Sequence, residues 1–506
     1  MSASEDDADK KAGPAERLVV WFDNRLGLSH ELLRPAPRYS INPFYWLGAL
    51  AVVAFVIQGI SGSIMLLYYV PTPSTAYAST LYIFQNVNYG QFLETVHLYT
   101  AYAMIMLAFM HMMRGFFVSV HKKPREIMWV IGMVMGFVTL GFGFTGYLLP
   151  WTVVSYSATK VGTAMIGALP KPISSFINFL VVGSGGDAGQ LLRFFDLHVV
   201  VLPAVLLVLL AVKMYMLETH GVSEPVTGGT PDPKKSGRLL PIFPDVSFYL
   251  LELAALFGAA MLLISVLFPL NLPAAYSPAA AGQSVPQPDW YFLWIYQIIK
   301  ISAFEQAGLS AALTFVALVF VVLTILPFID RGQTRRIARR PWYVTIGLIF
   351  IAEVIALTIW GQKTPGQVIP NTQGLLVLGG TALVVCIVSF NAYRLLARHP
   401  TSQAPAALPP SPRTEASRIH SASAWASAIF VAVLGLGAFS IGGLINSVVI
   451  MATFGVSELE LIALASSLGA LALAILGACY LLYRLDLGRG RIKRRVKMFE
   501  MGWRQK

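Results

Sequence analysis

Charge is scarce in this chain. Only 12% of its 506 residues are Asp, Glu, Lys or Arg, against roughly a quarter in soluble proteins. That excludes a disordered chain and an ordinary soluble enzyme. Cysteine is scarcer still: Cys386 and Cys479 both sit inside apolar runs, which excludes a disulfide scaffold and a thiolate metal site. Residues 1–16 are polar and carry acidic residues, with no apolar stretch behind a basic start, so no cleavable signal peptide is expected. What is abundant is apolar sequence, 56% of the chain. Several runs exceed the ~20 residues that cross a bilayer as a helix. The expectation is an all-α polytopic membrane protein of about ten spans, near 45–69, 94–118, 127–149, 195–217, 246–269, 308–329, 343–361, 373–395, 423–447 and 458–483.

The formal charge of +12 is a topology signal rather than a ligand signal. Alternate connections hold 29 Lys or Arg, whereas the intervening ones hold four: Lys160, Lys171, Lys300 and Lys363. The positive-inside rule then puts both termini in the cytoplasm, and no nucleic-acid partner is expected. Residues 15–33 read as an amphipathic helix on the inner surface. The expected organisation is a cytoplasmic segment 1–44, a four-helix domain 45–220, a second domain 221–397, a Pro/Ser/Ala-rich linker 398–422 and a two-helix extension 423–506 with a basic tail.

Histidine inside a membrane is costly and calls for a reason. His97 and His111 lie fourteen residues apart in the second span. That is nearly four turns and ~21 Å, so both rings leave one face at two depths. His198 opens the fourth span at the depth of His97. Two imidazoles from facing helices suit the axial positions of a haem iron. The glycines repeat the pattern. Gly48 and Gly62 in the first span, and Gly132 and Gly146 in the third, are again fourteen apart. Those helices run the other way, which sets Gly62 and Gly146 level with His97, and Gly48 and Gly132 level with His111. A macrocycle edge needs helices without side chains where it passes. A single such pair would read as close helix packing through small residues; two pairs in register with the histidines describe a bundle with two stacked haems.

These pieces resemble cytochrome b of the respiratory bc and photosynthetic bf complexes over roughly residues 17–395. The resemblance rests on Gln58-Gly59-Ile60-Ser61-Gly62, Val87-Asn88-Tyr89-Gly90, His97 and His111 followed by Arg114-Gly115, and Gly146-Tyr147-Leu148-Leu149-Pro150-Trp151. It continues through Arg193-Phe194-Phe195 and Pro288-Asp289-Trp290-Tyr291-Phe292, which is similar to the family's Pro-Glu-Trp-Tyr motif. It implies two haems, b-type by default with haem A as the alternative, held by His97 and His198 on the outer side and by His111 on the inner. It also implies Arg114 and Arg193 as propionate partners.

The family's fourth histidine falls at Lys213. Three readings stay open there: a neutral amine ligating the inner iron, a propionate partner beside a five-coordinate iron, or a missing inner haem. A metal and burial both favour a neutral amine. Glu94 stands where the family often has an arginine.

The resemblance further implies a quinol-oxidation pocket on the outer side. Asp289 takes the proton-accepting glutamate's position, one methylene shorter, and Tyr147, Tyr291 and Tyr296 join the pocket. A helix N-terminal aspartate is the plainer reading of Asp289. Residues 155–162 match a surface helix beside the pocket, with Ala158 for the usual glycine and an unusual Lys160. For inner quinone reduction the candidates are His220, expected in the inner loop, with Glu252, Arg25 and His30. Implied partners are quinol and quinone, membrane lipid, a Rieske iron–sulfur protein, and cytochrome c or another acceptor such as a terminal oxidase. A homodimeric complex in a prokaryotic plasma membrane is implied too. The chain has no Cys/His set for a cluster and no CxxCH for covalent haem, so both must come from partners. Two rivals stand beside this reading: a dihaem quinone-reactive anchor of another dehydrogenase, and a transporter with incidental histidines.

Overall fold

The computed structural model describes residues 35–398, apart from 38–39, 184, 222, 224–238, 282–286, 333 and 336. The expected amphipathic helix, the linker and the last two spans lie outside the described residues. The described chain is helical, save for one three-residue antiparallel ladder between β1 (Pro35–Pro37) and β2 (Leu239–Pro241).

Among the described residues, seven helices are long and apolar enough to cross a membrane. In chain order the major helices are α1 (Leu47–Met65), α2 (Ala76–Asn86), α3 (Gly90–Phe117), α4 (Glu126–Leu148), α5 (Val153–Gly167), α6 (Gly186–Asp196) and α7 (Leu202–His220). They continue as α8 (Ser247–Leu267), α9 (Trp290–Ile299), α10 (Leu309–Thr324), α11 (Pro341–Lys363) and α12 (Asn371–Arg398). Eight of the ten expected spans thus have helices at their positions. The expected 308–329 span is shorter than a full crossing, because α10 stops at Thr324 and a separate turn, Leu326–Ile329, follows. Pro327 sits in the first turn of that short piece, and it cannot donate to the preceding helix.

The expected fourth span is longer than its apolar run suggests. α6 passes through one wide turn, Leu197–Val201, into α7, and 186–217 forms a single candidate span. Pro203 has no N–H to give Val199, and the Leu202 N–H reaches back to Leu197 O instead. Such wide turns recur at functional sites, and this one contains His198. The helix runs on to His220, which therefore ends α7 rather than lying in a loop.

The described residues form two compact units: β1, β2 and α8 make up one, and the remaining helices the other. In the larger unit α1 packs along α3, α3 along α4, and α4 along α7. α9 and α12 pack on α11, which also touches α3. Met113, Phe116, Trp129 and Met133 form a buried cluster between α3 and α4, closed by Leu323, Tyr343 and Phe350. Ile298, Val316 and Leu357 form another between α9, α10 and α11. Outward faces stay apolar: Leu67, Val208, Leu375 and Val388 are all exposed, as a bilayer solvent requires. The chain is an all-α polytopic membrane protein.

Candidate functional site

The four glycines and the four candidate donors meet in pairs. A Cβ built on Gly62 would lie 3.3 Å from His97 Cε1, and one on Gly48 would lie 3.1 Å from His111 Cε1. On α4, a Cβ on Gly146 would lie 2.8 Å from His198 Cε1, and one on Gly132 would lie 3.0 Å from Lys213 Nζ. Carbon atoms attract best at ~3.5–4.0 Å, so each glycine makes room for one donor of a neighbouring helix. Each of the four glycines thus lies beside one donor side chain, and Lys213 occupies the place at Gly132 that His198 occupies at Gly146.

Two of the histidines are oriented by hydroxyls. Ser61 Oγ donates to Ile57 O at 2.7 Å and lies 2.8 Å from His97 Nδ1. Thr145 Oγ1 donates to Gly141 O at 2.8 Å and lies 3.0 Å from His198 Nδ1. A hydroxyl has one hydrogen. With that hydrogen given to the helix carbonyl, each oxygen accepts from Nδ1–H, and the Nε2 lone pair is left free. This is the tautomer a metal-binding histidine needs. The two ring centroids are 6.4 Å apart. An iron holding a nitrogen on each side at about 2 Å requires about 6 Å. At the other level, His111 Nδ1 is buried without a hydrogen-bond partner among the described residues, and Lys213 lies within electrostatic range of it. The donor set, its glycine cradle and this orphaned nitrogen all fit haem.

The two candidate propionate arginines diverge. Arg114 stays at the His111 level, with its guanidinium over the Tyr45 ring at 3.9 Å. Arg193 is held by backbone carbonyls. Its Nη1 donates to Phe179 O at 2.8 Å and to Leu180 O at 3.2 Å. Glu94 lies within range of Tyr69, whose hydroxyl donates to Leu149 O at 2.7 Å.

A second cluster gathers around Asp289. This residue is the N-cap of α9, yet its side chain makes no capping bond. The carboxylate turns inward. Oδ1 accepts from the Tyr102 hydroxyl at 3.0 Å and Oδ2 from the Tyr291 hydroxyl at 3.1 Å. The Tyr291 hydroxyl also lies 3.0 Å from Gly143 O. Tyr147 stands within electrostatic range of Asp289. Burial raises the Asp289 carboxyl above the usual carboxylate range, against the opposing pull of the two phenols. Burial, then the Asp289 charge, hold the Tyr291 phenol well above 10.0. Tyr296 is not brought to the carboxylate. Its ring lies 5.0 Å from Lys300 Nζ, which also donates to Thr364 O.

Tyr102 was missing from the expected site. Its signal was present: a phenol in the middle of a membrane helix needs a partner for its hydroxyl. Lys160, on α5, pairs with Asp187 at 2.7 Å and lies 4.9 Å from the Tyr156 ring. For the inner quinone site, His220 caps its own helix through Met216 O at 2.9 Å. Glu252 lies on α8 in the other unit, and Arg25 and His30 are outside the described residues.

Comparison with known proteins gives consistent matches. The family described as Cytochrome b/b6/petB matches residues 34–221, and Cytochrome b(C-terminal)/b6/petD matches residues 280–390. A cytochrome bc complex cytochrome b subunit of Chlorobaculum thiosulfatiphilum is 33% identical over 359 residues, covering 69% of this chain and 81% of that protein. A cytochrome b of Sulfolobus acidocaldarius is 29% identical over 410 residues, covering 76% and 71%. Among solved structures, a hyperthermophilic respiratory Complex III chain superposes with a TM-score of 0.61 at 26% identity, covering 74% of this chain and 100% of that one.

Proposed function

Because this chain belongs to the cytochrome b family, we propose that it is the dihaem, quinol-oxidising subunit of a Rieske/cytochrome b respiratory complex. The observation that carries the proposal is the pairing of four donor side chains with four glycines at two depths. Proteins of this family bind haem b. In this reading His97 and His198 hold one haem, and His111 and Lys213 hold the other. Bound there, haem supplies one-electron transfer between the two membrane faces.

The chain's own residues do the rest. Ser61 and Thr145 fix the tautomers of His97 and His198. The glycines let α1 and α4 approach without displacing the donors. Lys213 would hold that haem together with His111 rather than stand as a free cation: its amine occupies a glycine-matched place, with no carboxylate paired to it among the described residues. Asp289 accepts one of the two protons that a quinol sheds on oxidation. Its burial favours uptake, and its two phenol donors hold the ionised form ready. Tyr147 lines the same pocket. Oxidation on the Asp289 side and quinone reduction on the opposite side would couple electron flow to proton translocation.

The partners are a Rieske protein taking one of the two electrons, and a cytochrome c or oxidase beyond it. The complex would be a homodimer in a prokaryotic plasma membrane.

The test is a pyridine haemochrome assay and a redox difference spectrum on the purified complex. Two haems per chain and co-purifying Rieske protein are expected; a colourless chain refutes the reading. For Lys213, low-temperature EPR of the Lys213→Ala variant should lose one ligand-field signal. Two haems with unchanged signals would refute lysine ligation.

A further inference from the structure

We propose that Tyr102 is a positioning residue of the quinol-oxidation site, anchoring Asp289 through Oδ1 so that Oδ2, beside Tyr291, is the atom that takes the quinol's proton. This rests on the quinol-oxidising reading above and adds to it a residue and an atom.

The two phenols are not equivalent. Tyr102 reaches Asp289 from α3, five residues after His97, and its hydroxyl donates to Oδ1 at 3.0 Å. No other acceptor is within its hydrogen-bond reach among the described residues. The Tyr291 hydroxyl has two acceptors in reach, Asp289 Oδ2 at 3.1 Å and Gly143 O at 3.0 Å. One hydroxyl hydrogen can serve only one of them at a time.

That asymmetry decides where a proton can go. If it lands on Oδ2, the Tyr291 hydrogen turns to Gly143 O, and the phenol oxygen then accepts from the new Oδ2–H. Every buried polar group stays satisfied. If it lands on Oδ1, two hydrogens face each other between Oδ1 and the Tyr102 oxygen, and Tyr102 has nowhere to turn. Leaving a buried donor unmade costs about 1–3 kcal/mol, so Oδ2 is the acceptor. In the step itself one quinol O–H bond breaks and an Oδ2–H bond forms as one electron leaves for an acceptor named above. The second electron follows to the other acceptor, and the remaining O–H proton, which Asp289 does not take, is released to water on that side.

Tyr102 also accounts for the shorter acid. An aspartate at a helix N-cap ordinarily folds back on its own backbone, whereas Asp289 makes no such bond. The ring of Tyr102 is wedged against Trp290 and Tyr291, with centroids 6.1 Å away in both cases. Its hydroxyl is thereby held where a short carboxylate can meet it. The titratable groups facing Asp289 are Tyr102 from α3, Tyr147 from α4 and Tyr291 from α9. No cation perturbs it among the described residues, so neutral donors alone stabilise its charge.

The test is the pH profile of quinol oxidation by the intact complex. Asp289 works as a base and must be ionised, so the rate falls as pH drops through its pKa. Tyr102→Phe keeps the ring and removes one donor to the charged form. The acid limb should move up by about one pH unit, with haem content and chemical reducibility unchanged. A limb that does not move would reduce Tyr102 to packing and overturn the proposal. Should the Phe variant fail to assemble, 3-fluorotyrosine at position 102, a stronger donor, should move the limb down, and an unmoved limb again overturns it. Asp289→Asn separates the two levels of the argument. If it oxidises quinol at the wild-type rate, the reading of Asp289 as the proton acceptor fails. If it is slow while Tyr102→Phe keeps the wild-type profile, only the role of Tyr102 fails.

Discussion

Alanine at the four glycines should injure haem binding in a graded order set by the spacing. At Gly146 an added Cβ falls 2.8 Å from His198 Cε1. Unstrained carbon contact needs ~3.5–4.0 Å, so ring or helix must give by roughly 1 Å. Overpacking on this scale costs about 1–3 kcal/mol. The displaced ring would also lose the Thr145 hydrogen bond. Gly62, at 3.3 Å from His97 Cε1, needs only a few tenths of an ångström. The ~1 kcal/mol by which alanine exceeds glycine in helix propensity nearly offsets that. Gly132, at 3.0 Å from Lys213 Nζ, and Gly48, at 3.1 Å from His111 Cε1, fall between these two, because the proposed ligation tethers the lysine amine and denies it the freedom of a flexible side-chain end. Gly59 and Gly136 lie on the same two helices with nothing within 4 Å of an added Cβ, and they are the controls. The assay is haem per chain and the melting temperature of the Soret band. Gly146→Ala should lose haem and melt lower, while Gly59→Ala and Gly136→Ala should match or exceed the wild type. If the controls lost haem as readily as Gly146→Ala, the glycines would matter as helix-packing residues only, and the cradle argument would be wrong.

Two further outcomes follow from the same geometry. Ser61→Ala and Thr145→Val each remove the acceptor for an imidazole Nδ1–H. Haem retention at the His97 level should weaken by about 10–100-fold, with the His111 level unchanged in the difference spectrum. Away from the membrane core, Asp330 gathers His121, Lys122 and Arg340. Burial alone would raise its carboxyl, but hydrogen bonds from Lys122, His121 and Arg340 outweigh that and hold it at about 2. A depressed carboxylate contributes stability that is complete above its ordinary range near ~4 and is lost as pH falls toward the folded value. Asp330→Asn should therefore lower the melting temperature at pH 7 and flatten its decline between about pH 4 and pH 2. An unchanged melt at pH 7 would show that the cluster contributes nothing.

What the chain reveals by itself is what travels along one helix. Fourteen residues make nearly four turns. That periodicity alone gave His97 and His111 one face and two depths, and gave Gly48, Gly62, Gly132 and Gly146 the same two depths. Apolar run length placed the eight expected spans that fall among the described residues, most of them within a turn or two. Where the chain departs from regular helix, the run misleads: Pro203 and the wide turn at His198 join α6 to α7, and Pro327 cuts α10 short.

What only the folded molecule decided is which groups from different helices meet. A hydroxyl one residue before a glycine looks ordinary in sequence, yet Ser61 and Thr145 set the tautomers of His97 and His198. Nothing in sequence points from Arg193 to the carbonyls of Phe179 and Leu180, to which its guanidinium donates. Tyr102 and Asp289 are 187 residues apart and share a hydrogen bond. The physical reason is range. Helical period and hydropathy are local properties of the backbone, whereas hydrogen bonds between helices depend on how close and at what rotation the helices pack, and no single segment encodes that.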